Sequence, residues 1–199
     1  MSQRLVIRLG SYSAIVSLLL ALGALVGFLV SVGLSGKISE VAGSTGFYIA
    51  AACALGSLAL LPLALVALWL QQQDRVGRFG ALAFAAALVG TMLAVGAQWT
   101  YLFVVPYFAE AAPELVNESR GIALAGFLIS YAALAVGWIT FGVATMRTKL
   151  FPRWAAALLI AGGAISIAPM PSRTLVLALA LALLGFQVLR APQEDALPE

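Results

Sequence analysis

Six apolar runs divide the chain, at about 11–35, 46–70, 79–105, 121–145, 154–168 and 174–189. A helix that crosses a membrane needs about 20 mostly apolar residues, because the hydrocarbon core is about 30 Å thick. No water bonds the backbone in that layer, so the chain must pair its own N–H and C=O groups. The runs therefore predict an all-α fold, a polytopic membrane helix bundle of six transmembrane helices. The segments between them are too short to form a second domain, so residues 1–190 are expected to be one six-helix transmembrane domain. Composition points the same way. Hydrophobic types make up 63% and charged types 10% of the chain, against about 45–50% and 25% in a soluble domain.

The ends of this layout need separate treatment. The first run follows Arg4 and Arg8, as in a secretory signal. It is too long for one, and no A-x-A-like cleavage site follows, so it is expected to be a helix of the mature chain. The last two runs, of 15 and 16 residues, rise only about 23 Å. They are expected to be full spans joined by a tight turn at Pro169 and Pro171. The tail 191–199, "APQEDALPE", has two prolines and three acids. It holds too little apolar surface to order itself and is expected to be a disordered cytoplasmic tail.

Lys and Arg in short loops set orientation. Alternate segments hold Arg4, Arg8, Arg75, Arg78, Arg147, Lys149, Arg153 and Arg190, eight in all, against Lys37, Arg120 and Arg173 on the other side. Both termini are therefore expected in the cytoplasm. The same cations would attract anionic lipid headgroups at the cytoplasmic face. No nucleic-acid partner is expected.

The stretch "QWTYLFVVPYFAEAAPEL", from Gln98 to Leu115, carries the third run out to the non-cytoplasmic side. Trp99, Tyr101, Phe103, Tyr107 and Phe108 fit an interfacial aromatic belt. Pro106 marks a helix boundary or kink. Glu110, Glu114 and Glu118, spaced four apart, would share one solvated face of a short helix. The stretch reads as belt and exit loop, with a binding site as the alternative. Gln98 bears on that choice, since an unpaired amide in hydrocarbon costs about 2–7 kcal/mol. Gln98 and Tyr101 are three apart and share a helix face, and Tyr107 could fold back to them after Pro106. These three are the candidate ligand or partner residues. Pro62, mid-run, is expected to kink the second helix.

Groups that carry chemistry are scarce. The chain has no His, which removes the commonest general base and metal ligand. Its one cysteine, Cys53, sits in an apolar run and reads as a small filler. No ionisable residue falls well inside any run, which argues against proton relays and intramembrane acid proteases. "GLSGK", 33–37, is too short for a phosphate loop and reads as a helix end. No catalytic residue, cofactor or metal site is expected.

Small residues give the positive signal. Gly23 and Gly27 have G-x-x-x-G spacing, and Gly126, Ser130, Ala133 and Gly137 form a stripe. Such stripes let helices approach closely in lipid. Gly23, Gly27, Gly126, Ser130 and Gly137 are therefore the candidate helix-packing residues, within the bundle or against another subunit.

The segment "GVATMRTKLFPRWAAALLIAGGAIS", 142–166, sets a basic loop before Phe151-Pro152-Arg153-Trp154 and a helix with Gly162 and Gly163. In this it resembles a bacterial six-helix integral membrane family of unknown function. The very Ala/Leu-rich last two runs depart from that family's pattern. The resemblance implies a bacterial inner (plasma) membrane protein and carries over no site residues. The expected function is a non-catalytic subunit or accessory protein of a larger membrane complex, with other membrane subunits as partners. The alternative is a small carrier or binder of an apolar molecule such as a lipid, quinone or pigment. An enzyme is not expected.

Overall fold

The computed structural model describes residues 2–32, 37–117, 121–168 and 173–190. Among these the chain is helical throughout, with no strand. The elements are α1 (Gln3–Val32), α2 (Ile38–Val41), α3 (Thr45–Phe103), α4 (Val105–Ala111), α5 (Pro113–Asn117), α6 (Gly121–Thr148), α7 (Arg153–Ile165) and α8 (Leu175–Arg190). The expected turn at Pro169 and Pro171, the helix end at 33–36, Glu118, Arg120 and the tail 191–199 lie outside the described residues.

Among the described residues, three stretches are helical, long and apolar enough to cross a membrane: Gln3–Ser31, Thr45–Ala111 and Leu124–Thr148. Large apolar side chains cover their outside, such as Leu19 (62% exposed), Leu82 (72%) and Ile129 (64%). The buried set is instead rich in alanine. In lipid this arrangement is sensible, because apolar surface gains nothing by leaving the hydrocarbon and helices associate by close contact.

The second of these stretches is not one rod. Ser44 caps α3, its hydroxyl accepting from the Phe47 N–H at 3.2 Å. Within α3 only Gly77, at φ 59° and ψ −162°, leaves the helical region. There the chain doubles back. The rings of Trp69 and Phe84 stack at 4.9 Å, whereas a straight helix would separate those positions by about 22 Å. Phe47 and Tyr101, near the two extremes of α3, are 5.4 Å apart. The sequence suggested a loop over 71–78; the structure continues the helix up to Gly77 and restarts it at once. A single residue suffices because glycine alone enters this region without a Cβ clash. We call the two arms 45–76 and 78–103. Pro62 keeps helical dihedrals within the first arm.

The six long segments form a closed up-and-down ring. The first arm packs on α1, where the hydroxyls of Ser17 and Ser57 each donate to the other's carbonyl at 2.9 Å. The second arm packs on α6, where the Trp138 indole N–H donates to the Thr91 hydroxyl at 3.0 Å. Next, α7 packs on α6, and α8 packs on both α7 and α1, closing the ring. The N-terminus of α1, the Gly77 turn, the α6–α7 link and the C-terminus of α8 meet at one end. Gln3 donates to the Leu70 carbonyl at 3.1 Å, buried Gln72 donates to the Thr145 hydroxyl at 3.1 Å, and the Arg147 guanidinium lies 4.8 Å from the Phe79 ring centroid. This basic end carries the eight cations Arg4, Arg8, Arg75, Arg78, Arg147, Lys149, Arg153 and Arg190. The opposite end carries α2, α4 and α5 and the acids Glu40, Glu110 and Glu114.

Candidate functional site

The site originates in a mismatch of helix lengths. With 28 residues, α6 is about 42 Å long, while α7 and α8, with 13 and 16, reach about 20 and 24 Å. All three start or finish at the basic end, so α7 and α8 stop well short of the other. Arg173, just before α8, therefore meets the side of α6. There the Arg173 guanidinium lies 3.7 Å from the Tyr131 ring centroid. Tyr131 is ten residues past Gly121, about 15 Å along α6.

Above Arg173 a cavity of about 770 Å³ opens between α1, both arms of α3 and α6. Ile167, Arg173 and Thr174 form its floor. Its walls are mostly apolar: Ala24 and Phe28 from α1, Phe47, Ala50, Ala51, Ala54 and Leu58 from the first arm, and Leu124, Phe127 and Leu128 from α6. The roof is Ile38 with Val105, Phe108, Glu114, Leu115 and Val116. Asn117 ties this roof together, accepting from the Ser39 N–H at 3.2 Å and donating to the Ser39 hydroxyl at 2.7 Å. The helix breaks at Val104, just before Pro106 at the start of α4. Proline lacks the N–H that would continue the ladder, and Val105 and Phe108 beside it line the cavity.

Gln98, Tyr101, Tyr131, Thr174 and Arg173 bring polar groups into this apolar space. Gln98 is 7% exposed. Among the described residues, no side-chain hydrogen bond like those of Gln72 and Trp138 reaches Gln98, Tyr101, Tyr131 or Arg173. No carboxylate among the described residues pairs with Arg173 either; the ion pair they form at this end is Lys37 with Glu40, at 3.6 Å on the surface. The Tyr131 face gives the guanidinium about 0.5–2 kcal/mol of cation–π attraction, which is small beside the cost of an unpaired charge in an apolar setting.

The three candidate ligand residues part company here. Gln98 and Tyr101 line the cavity together. Tyr107 is 66% exposed, and its neighbour Phe108 takes the place in the roof. Pro62 lies away from the cavity, although Leu58, one turn earlier, lines it. Arg173 and Tyr131 were not among the candidates. In sequence Arg173 counts as a loop cation, and only the shortness of the last two runs hints that it sits beside the middle of α6.

The packing candidates also divide. A Cβ on Gly27 would lie 3.0 Å from that of Ala50, and one on Gly23 would lie 3.4 Å from the Cys53 sulfur. One on Gly137 would lie 2.6 Å from the Ala86 carbonyl oxygen and from the Ala87 Cα. Gly126 has nothing within 4 Å of that position, and the Ser130 hydroxyl donates to the Gly126 carbonyl of its own helix at 2.8 Å.

No family model matches the chain, and neither a curated protein nor a solved structure does.

Proposed function

We propose that the chain is a six-span membrane protein with its basic end in the cytoplasm, which binds an apolar small molecule in the cavity under α4 and α5. A lipid, quinone or pigment fits this description. The carrying observation is the size of the space. At about 770 Å³, it lies within the range of about 300–1,000 Å³ common for small-molecule sites, and its wall is largely Ala, Leu and Phe. The lining holds one carboxylate, Glu114, and no Ser or Cys among the described residues. That set favours binding or carriage without catalysis. The bacterial inner membrane suggested by the 142–166 resemblance is the proposed location, with anionic headgroups at the basic end.

The accessory-subunit reading draws on the small-residue stripes. Gly23, Gly27 and Gly137 already use theirs on contacts inside the chain. Only Gly126 and Ser130 remain for a neighbour, so this reading has less support.

Two experiments test the proposal. The full chain, purified from membranes in mild detergent, is extracted with organic solvent and the extract examined by mass spectrometry. An apolar compound near one per chain is expected in the wild type and clearly less of it in Ala54→Trp, which puts an indole into the cavity. Equal amounts in both, or none in either, would contradict it. For orientation, single cysteines replace Glu110 and Asp74 in a Cys53→Ala background. An impermeant thiol reagent applied to the periplasmic side should label the first and not the second; the opposite pattern overturns the sidedness.

A further inference from the structure

Resting on the apolar-binder reading, we propose that the bound molecule is a monoanion: one acidic head on an apolar body, with the head against Arg173. Three observations carry this. Arg173 is a fixed positive charge on the floor of a mostly apolar cavity. Its Cζ lies over the Tyr131 ring at 3.7 Å from the centroid, a contact that uses none of the forked N–H donors that suit a carboxylate or phosphate oxygen pair. Finally, no carboxylate of the described residues lies within ion-pair distance of it. A charge beside the middle of a membrane helix is costly unless paired, and a ligand head would supply the counter-ion.

The rest of the lining fixes the remaining chemistry. Gln98 and Tyr101 offer further donors with no hydrogen-bond partner among the described residues. Four phenylalanines, Phe28, Phe47, Phe108 and Phe127, offer apolar contact to the body. Glu114, in the roof and exposed, disfavours a second negative charge at the far end of the ligand. One cation and one acid in the lining suit a singly charged head rather than a multiply charged one. A free fatty or aromatic acid and an anionic lipid share this chemistry.

The test uses a matched pair of probes, 1-pyrenebutyrate and 1-pyrenebutanol, which differ in the acid alone. Each is titrated by fluorescence against the full chain in phosphatidylcholine nanodiscs, with empty discs as background. The wild type should bind the acid about tenfold to a hundredfold more tightly than the alcohol, the span expected of hydrogen bonds to a charged group. Arg173→Gln should remove that preference and leave the alcohol affinity unchanged, with its melting curve reporting that it folds. Equal binding of acid and alcohol by the wild type overturns the monoanion proposal and leaves the apolar-binder reading standing. If neither probe binds above background, the apolar-binder reading itself fails. Repeating the acid titration with phosphatidylglycerol in the discs separates the two sources. Displacement assigns the site to an anionic lipid, and undiminished binding assigns it to a free acid.

Discussion

The two ends of the bundle, one bearing the cations and the other the acids, are both made of apolar helices and pack in opposite ways. At the basic end all six long segments are present, and the pocket between α1, the first arm and α8 is about 10 Å³. At the α4–α5 end, two of the six have already turned back, and about 770 Å³ is open. Neither hydrophobicity nor charge produces this contrast. It follows from helix length, since 13- and 16-residue helices cannot wall a bundle whose α6 has 28. Where all six segments run together, small residues set backbones in contact. Beyond the short pair, alanines and larger side chains surround a gap.

This contrast can be broken most forcefully by adding bulk. Gly137→Leu puts a side chain where a Cβ alone would meet backbone atoms at 2.6 Å. Overpacking of this kind costs about 1–3 kcal/mol. Gly126→Leu, on the same helix toward the open end, should cost less than about 0.5 kcal/mol, as at unconstrained surface sites. Denaturation in mixed micelles gives both values. Similar losses at the two positions would mean that the ends pack alike.

Removing polar contacts sharpens the comparison at smaller scale. Trp138→Phe deletes the buried N–H donated to Thr91 at 3.0 Å and should cost about 0.5–1.5 kcal/mol. The Thr91 hydroxyl keeps its own bond to the Ala87 carbonyl, so nothing larger is expected. Gln98→Leu, in the cavity, removes no bond among the described residues. It should leave the unfolding midpoint in place or raise it, while lowering ligand retention. A clear loss of stability in Gln98→Leu would mean its carboxamide is bonded within the protein.

Ser17→Ala is the smallest of the set. It removes one of the paired bonds to Ser57, and hydrogen bonds between membrane helices average about 0.6 kcal/mol. A loss of several kcal/mol would show that this pair, and not close helix contact, holds α1 to the first arm.

Much of this architecture was readable from sequence because lipid imposes a simple length rule. Each apolar run corresponds to a helix or an arm, and Pro106 sits at the start of α4. The joints were less readable. "QQQDRVGR" has the polar composition of a loop, yet Gly77 absorbs the whole reversal and the residues around it stay helical. Gln72, polar and next to that turn, is fully buried against Thr145. For the cavity, the i, i+3 spacing of Gln98 and Tyr101 could be read, since helical geometry fixes it. Arg173 could not, because its position depends on where two short helices stop against a third. Tyr107 illustrates the same limit: after the break at Val104, spacing no longer tells which side chain turns inward, and it is Phe108 that does.

The contrast between the ends is tested most directly by reactivity at two equally hidden alanines. Ala51 lines the cavity and is 4% exposed, while Ala87 lies in the packed contact with α6 and is 0% exposed. Each is replaced by cysteine in a Cys53→Ala background, and the purified protein is treated with a small charged methanethiosulfonate. The cysteine at position 51 is expected to react at a rate close to that of an exposed control at Glu110, and the cysteine at position 87 to stay unmodified. Equal protection at the two positions would contradict an open cavity under α4 and α5.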